Sequence, residues 1–318
     1  HIEAGMRSWD RSMPEEINRI VADAISQILF AFTPLAKVYL MHEGIPSKKI
    51  FVTGSTEVDI MLRCLNVIEK RGKELLNLLD LDSKEYVIVT VHRQSNVDDP
   101  EDLKNILLAL KEISRIHRVI FPIHPRTRKA LQKFRFENIL NTKNIMALPP
   151  LGYFDFLGLL KNAKVVLTDS GGIQVNACTL KIPTVVLRYS TEYPECVILG
   201  IARLAGTKKR DIVKAFNVAV QESLPDYENP LGDGKSGKRI AKILLKVNPR
   251  IKQINLRDTP LLMYNLTKKP NKKDEIISWY NEEGLPLSSK PFYYLVRRKY
   301  GREILRKLNR IISFRSPL

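Results

Sequence analysis

Four short segments hold the residues best suited to chemistry. Thr168-Asp169-Ser170-Gly171-Gly172-Ile173-Gln174 follows an apolar run and opens a helical one. Adjacent glycines let a ligand approach the backbone, and free N–H groups at a helix start attract phosphate. Ser170 adds a hydroxyl donor. Taken alone, the segment reads equally well as a strand-to-helix turn packed closely through its glycines. Val91-His92-Arg93 puts an imidazole and a guanidinium after a β-branched run. That pair can address a diphosphate or protonate a leaving group, or it can be a surface pair with no ligand. HIEAGMR (residues 1–7) and PEEINR (14–19) place Glu3 and Glu15 in two acidic clusters with Arg7 and Arg19 close in sequence. Paired carboxylates of separated pKa suit proton abstraction and return. Composition alone favours a charged helix start. His124-Pro125-Arg126 ends a further apolar run and is otherwise a turn.

These segments need a scaffold that brings them to one edge. Tyr86–Val91, Val119–Ile123, Ile145–Leu148, Val165–Thr168 and Thr184–Leu187 are short apolar strands. Amphipathic helices near 101–115, 127–135, 153–162 and 171–180 alternate with them. Alternation of this kind predicts a parallel sheet covered by helices on both faces. Ligands then bind beyond the carboxyl ends of the strands, where three of the four segments lie. Upstream, 1–7 reads as a strand end, Pro14 opens a helix, 50–54 is a strand and turn, and helices follow over 57–79. Asn-Pro-Leu-Gly-Asp-Gly (229–234) is a turn before a short closing helix.

Other sites fail on inspection. Gly232 to Lys238 has glycine and lysine at P-loop spacing, but Arg239 replaces the Ser or Thr that would hold magnesium. Ser170 lacks the glycine two residues before it that a nucleophile elbow requires. The five histidines show no metal-ligand spacing, and no Gly-x-Gly-x-x-Gly follows a strand. Three cysteines make no disulfide framework and suit a reducing cytoplasm. No run of about 18 apolar residues appears, and no signal peptide is visible.

The net charge of +18 is uneven. Residues 246–318 hold 17 Lys and Arg against 6 Asp and Glu, so most of the excess sits in the last quarter. Residues 291–313 read as a basic amphipathic helix. Its partner is either an anionic membrane surface or the protein itself, with the charges solvated. Nucleic acid is not expected, because no recognised module accompanies the charge.

In order and spacing, HIEAGMR, PEEINR, TGST (53–56), VTVHRQSN (89–96), FPIHPRT (121–127), TDSGGIQ (168–174), TEYPE (191–195) and NPLGDGK (229–235) resemble the UDP-N-acetylglucosamine 2-epimerase family. The resemblance covers residues 1 to about 245. It implies two Rossmann-like domains of the GT-B type. Residues 1–56 would be the back part of the first and 57–248 the second, with a basic extension over 249–318. It also implies a preceding segment of roughly a hundred residues, in keeping with a first residue that is not Met. The implied chemistry is elimination of UDP and its re-addition through a glycal, with no metal or nicotinamide cofactor. The implied partners are a UDP-sugar and a second copy of the chain. Glu3 and Glu15 would be the acid/base carboxylates and His92 the histidine near the diphosphate. Ser170, Gly171 and Gly172 would form the phosphate turn, Phe156 would pack near uracil, and Arg188 is retained. Arg7 and His124 fall at positions tied to a second, regulatory UDP-sugar site.

The chain departs from the pattern at three places. Val175-Asn176 replaces Glu-Glu, so Asn176 would meet the ribose hydroxyls with a neutral amide. Tyr193 replaces the Arg of TERPE, and HRQSN replaces HRREN. These changes leave open a UDP-diacetamido-uronic acid as substrate, or a UDP-sugar-binding or decayed chain without catalysis. A GT-B glycosyltransferase would not account for HIEAG and PEEINR together.

Overall fold

The computed structural model describes residues 1–247. The chain divides into two units, one of residues His1–Gly5, Arg19–Thr53 and the chain from Gly237, the other of Met6–Asn18 and Gly54–Ser236. The basic helix expected over 291–313 lies outside the described residues.

The first unit holds a three-stranded parallel sheet of β1 (Ile2–Ala4), β2 (Leu29–Ala31) and β3 (Ile50–Val52), in that order. Helix α1 (Pro14–Ile25) starts in the second unit and ends in this one, and α2 (Pro34–His42) follows β2. Thr33 caps α2 by accepting from the Ala36 N–H at 3.0 Å, and Pro34 takes the first turn, where its missing N–H costs nothing.

The second unit runs α3 (Thr56–Arg63), α4 (Leu65–Leu79), β4 (Tyr86–Thr90), α5 (Gln94–Val97), α6 (Pro100–Ile113), β5 (Arg118–Pro122), α7 (Pro125–Phe134), β6 (Ile145–Leu148), α8 (Tyr153–Asn162), β7 (Val165–Thr168), α9 (Gly171–Leu180), β8 (Thr184–Val186), α10 (Pro194–Ile198), β9 (Ala202–Leu204) and α11 (Lys209–Gln221). Helix α12 (Ser236–Lys246) closes the described chain. All six strands pair in parallel, in the order β6-β5-β4-β7-β8-β9. The order reverses direction between β4 and β7, and such a switch point opens a crevice at the strands' carboxyl ends.

The strands are apolar throughout because both sheet faces are covered. Val87 and Val89 join Val165 and Leu167 in a core with Leu103, Ile106 and Leu110 of α6 and Phe216 of α11. Tyr86, Ile88 and Val166 point the other way, into a second core with Ile68 of α4 and Leu157 and Leu160 of α8. The Tyr86 hydroxyl donates to the Leu159 carbonyl at 2.5 Å, which satisfies its one buried polar atom. The strands and helices read from the apolar alternation are present. The helical stretch over 57–79 is two helices, broken at Cys64. Strands β2 and β9, three residues each, are additional.

Helices α4 and α8 cross with almost no space between them. A Cβ on Gly158 would lie 2.6 Å from the Gly72 nitrogen and 2.8 Å from its Cα. Gly158→Val should therefore force the helices apart and cost about 2–3 kcal/mol, seen as a lowered urea midpoint. An unchanged midpoint would contradict this crossing.

Candidate active site at the sheet switch point

The loops after β4 and β7 meet around one carboxylate. Asp169 is fully buried. It accepts from the His92 N–H at 2.9 and 3.1 Å, the Arg93 N–H at 2.9 Å and the Asn96 side-chain amide at 3.2 Å. His92 Nδ1 lies 3.2 Å from the same carboxylate. Buried charge needs this many donors. Arg93 Nε donates back to the Asp169 carbonyl at 3.2 Å, and Asn96 reaches the Leu187 carbonyl at 2.9 Å. The ends of β4, β7 and β8 are thus one hydrogen-bonded piece. Beneath it Thr90 and Thr168, paired across the two strands, share a hydroxyl contact at 2.7 Å.

Ser170 precedes α9 as its cap residue, with extended backbone, and Gly171 and Gly172 form the first turn. The Ser170 N–H donates to the Thr168 hydroxyl at 3.0 Å. A Cβ on Gly171 would meet the Tyr193 ring at 3.3 Å and a Glu192 oxygen at 3.7 Å; one on Gly172 would meet a Glu57 oxygen at 3.3 Å. Neither glycine puts a side chain over the N–H groups of the helix start, and the Glu192 and Glu57 carboxylates stand beside it.

Two guanidiniums border this turn. Arg188 holds Glu192 at 2.7 and 3.3 Å, and Arg93 Nη2 reaches Glu192 at 3.3 Å. The Met13 sulfur accepts from Arg188 at 3.3 Å and from Arg93 at 3.7 Å. Tyr193 is buried, and its hydroxyl donates to the Met6 sulfur at 3.8 Å. Tyr193 carries no charge, and the cations beside it are Arg93 and Arg188. Burial pushes the Glu192 carboxyl up. The hydrogen bond and charge of Arg188, with the charge of Arg93, outweigh it and hold the group below the usual carboxylate range.

His124 caps α7, accepting the Arg126 N–H at 3.2 Å, and its ring centroid is 5.3 Å from that of His92. Burial first, then the charges of His92 and Arg126, push the His124 imidazole below its ordinary value. Phe156, on α8, is half-buried against the second core. Asn176 is buried on α9. Arg7 is completely buried and donates to the Met6 carbonyl at 2.8 Å. Glu15 is exposed, whereas Glu16 is buried and ties the preceding loop by accepting from Ser8 N–H, Ser8 Oγ and Trp9 N–H at 2.9, 3.0 and 2.8 Å.

Glu3 belongs to the three-stranded unit. It sits where the β1–β2 register shifts, with φ +62. A bulged, left-handed residue of this kind stores strain of order 1–3 kcal/mol and re-aims its side chain. Asp23 braces it from both sides, 2.6 Å from His1 Nδ1 and 3.1 Å from the Gly5 N–H. Gly5 itself has no room for a side chain, since a Cβ would lie 2.4 Å from the Ala36 carbonyl oxygen.

Sequence reasoning did not single out the buried carboxylates that hold these segments in place: Asp169, Glu192 and Asp23. Signals existed for two of them. Asp169 directly precedes the glycine turn, and Glu192 follows Arg188 by four residues.

A family model described as UDP-N-acetylglucosamine 2-epimerase matches residues 1–245. The chain belongs to the UDP-N-acetylglucosamine 2-epimerase family. The protein of that name from Methanocaldococcus jannaschii is 46% identical over 249 residues, 77% of this chain and 68% of that one. Its crystal structure in complex with UDP-GlcNAc and UDP matches with a TM-score of 0.73 at 45% identity, over 78% of this chain and 68% of that chain. A UDP-2,3-diacetamido-2,3-dideoxy-D-glucuronate 2-epimerase from Pseudomonas aeruginosa is 35% identical, over 78% of this chain and 68% of that one. The parallel α/β units and these matches establish the GT-B fold class. Among the described residues, no helix is long and apolar enough to cross a membrane.

The depressed Glu192 carboxyl has a pH signature. Its stabilisation is present above the ordinary carboxylate value, about 4.3, and is lost as pH falls through the depressed one. Glu192→Gln, which leaves two guanidiniums without their anion, should cost about 3–5 kcal/mol at neutral pH. The gap to the native protein should close on acidification, as read by denaturant unfolding at several pH values. A gap independent of pH would contradict the pairing.

Proposed function

We propose that the protein interconverts UDP-N-acetylglucosamine and UDP-N-acetylmannosamine, as an isomerase supplying a nucleotide sugar for polysaccharide or glycan synthesis. The observation that carries this reading is the switch-point cluster. A bare glycine turn at the start of α9 stands beside His92, Arg93 and Arg188, in a chain 46% identical to a protein of that name.

In this reading the diphosphate seats on Ser170, Gly171 and Gly172, where N–H groups and the helix dipole favour it. Phe156 packs near the uracil. A carboxylate, Glu3 or Glu15, takes the proton from sugar C2 while the C1–O bond breaks. The electrons of the C–H bond form the C1=C2 double bond of a glycal, and those of the C1–O bond leave with UDP. His92, held through Asp169, neutralises charge on the departing diphosphate. Return of a proton to the opposite face of C2 and re-addition of UDP at C1 complete the inversion. No electrons are gained or lost overall, so the balance calls for no redox partner. Strain at Glu3, maintained by Asp23 and the bulge, supports a role for that carboxylate.

The sugar of the Pseudomonas relative is the second reading, supported by a lower identity. A homodimer, a cytoplasmic location and contact of residues 249–318 with an anionic membrane surface complete the proposal. The last is supported by the 17 basic against 6 acidic residues from 246 onward.

The experiment is incubation of the full-length protein with UDP-N-acetylglucosamine in deuterated water, followed at C2 by proton NMR. Deuterium at C2 and growth of the manno product are expected. Binding without exchange would contradict catalysis. Glu3→Gln should slow exchange by about 10²–10⁴-fold with UDP still bound; native turnover would remove Glu3 from the mechanism. Gly171→Val should abolish UDP binding in calorimetry by filling the turn, and unchanged affinity would move the diphosphate elsewhere.

A further inference from the structure

Helix α9 presents a second requirement besides its N-terminal turn. Asn176 is 3% exposed, and its side-chain oxygen has no hydrogen-bond partner among the described residues. A buried amide oxygen without a donor costs about 1–3 kcal/mol. In folded proteins such a group needs an explanation, and a ligand that brings the donor is one. Asn176 follows Gly172 by four residues, so the two lie on one face of α9, about 5–6 Å apart.

That face meets a carboxylate from another helix. Glu57, the second residue of α3, comes within 3.3 Å (Oε1) and 3.9 Å (Oε2) of the Cβ position at Gly172. It is only half-buried, within reach of a ligand. Tyr153, exposed at the start of α8, registers the same carboxylate: its phenol is raised by burial first and then by the charge of Glu57. A carboxylate and an amide oxygen therefore border one strip of α9, starting from the phosphate turn and running one helical turn along it.

Both groups accept hydrogen bonds, and a carboxylate can receive two at once. A vicinal diol provides two donors at that spacing, and acidic side chains receive ribose hydroxyls in other doubly wound sheets. We propose that Glu57 is a specificity-determining residue that receives the ribose hydroxyls of the nucleotide, with Asn176 completing the pair from α9. This rests on the UDP-sugar reading above.

The test is calorimetry of UDP, 2′-deoxy-UDP and 3′-deoxy-UDP on the native protein, Glu57→Gln, Asn176→Glu and the Glu57→Gln/Asn176→Glu double variant. The glutamine is isosteric, and circular dichroism checks the fold of each variant. The native protein should prefer UDP over the deoxy forms by about tenfold or more, as charged hydrogen bonds imply. Glu57→Gln should weaken UDP by a similar factor and leave the deoxy forms nearly unchanged. Adding Asn176→Glu to it should restore the preference. A preference that survives Glu57→Gln, or one absent from the native protein while UDP still binds, would overturn the inference alone and leave Glu57 as an acid in the first turn of α3. Failure of the native protein to bind UDP would overturn the UDP-sugar reading and the inference with it.

Discussion

A carboxylate buried at the end of β7 cannot be left to water, and the need to satisfy Asp169 shapes the functional edge of the sheet. Its donors come from a loop 73 to 77 residues away in sequence. The His92 and Arg93 backbone turns toward it, Asn96 reaches past it to β8, and the Thr127 hydroxyl holds the Val91 carbonyl from the other side. The loop after β4 therefore has one path, and the imidazole and guanidinium it carries are set before any ligand arrives. Groups fixed in advance cost no reorganisation when charge develops, which is the main source of electrostatic catalysis.

The three-stranded unit solves a related problem with the same residue type. Asp23 is buried and binds residues on both sides of Glu3. The strained backbone at Glu3 persists because its surroundings overdetermine it. Around the glycine turn the logic is inverted. Arg93 and Arg188 are cations that a diphosphate could use, and Glu192 holds both in place. In each case a candidate side chain is held by a buried carboxylate that pairs with it or with its backbone neighbours.

Strands β4, β5 and β7 were legible in the sequence because burial on both faces makes them continuous apolar runs. Helices α6, α8 and α9 were legible from periodicity. Leu29-Phe30-Ala31 was not, since only three residues separate it from helix α1 and it is too short for a period to appear. The candidate site was legible by residue type, since the glycines, His92, Glu3 and Glu15 stand in motifs. Its wiring was not. Which glutamate of Pro14-Glu15-Glu16 is buried depends on the return of the chain at Ser8 and Trp9. The complete burial of Arg7, and the approach of Glu57 to Gly172, depend on packing between segments that no local pattern links.

The claim that Asp169 sets this edge in advance is tested most directly by amide hydrogen exchange at His92 and Arg93 in the protein without nucleotide. The account predicts protection close to that of β4, little changed when UDP is added. Exchange at open-loop rates, with protection only after UDP binds, would contradict it.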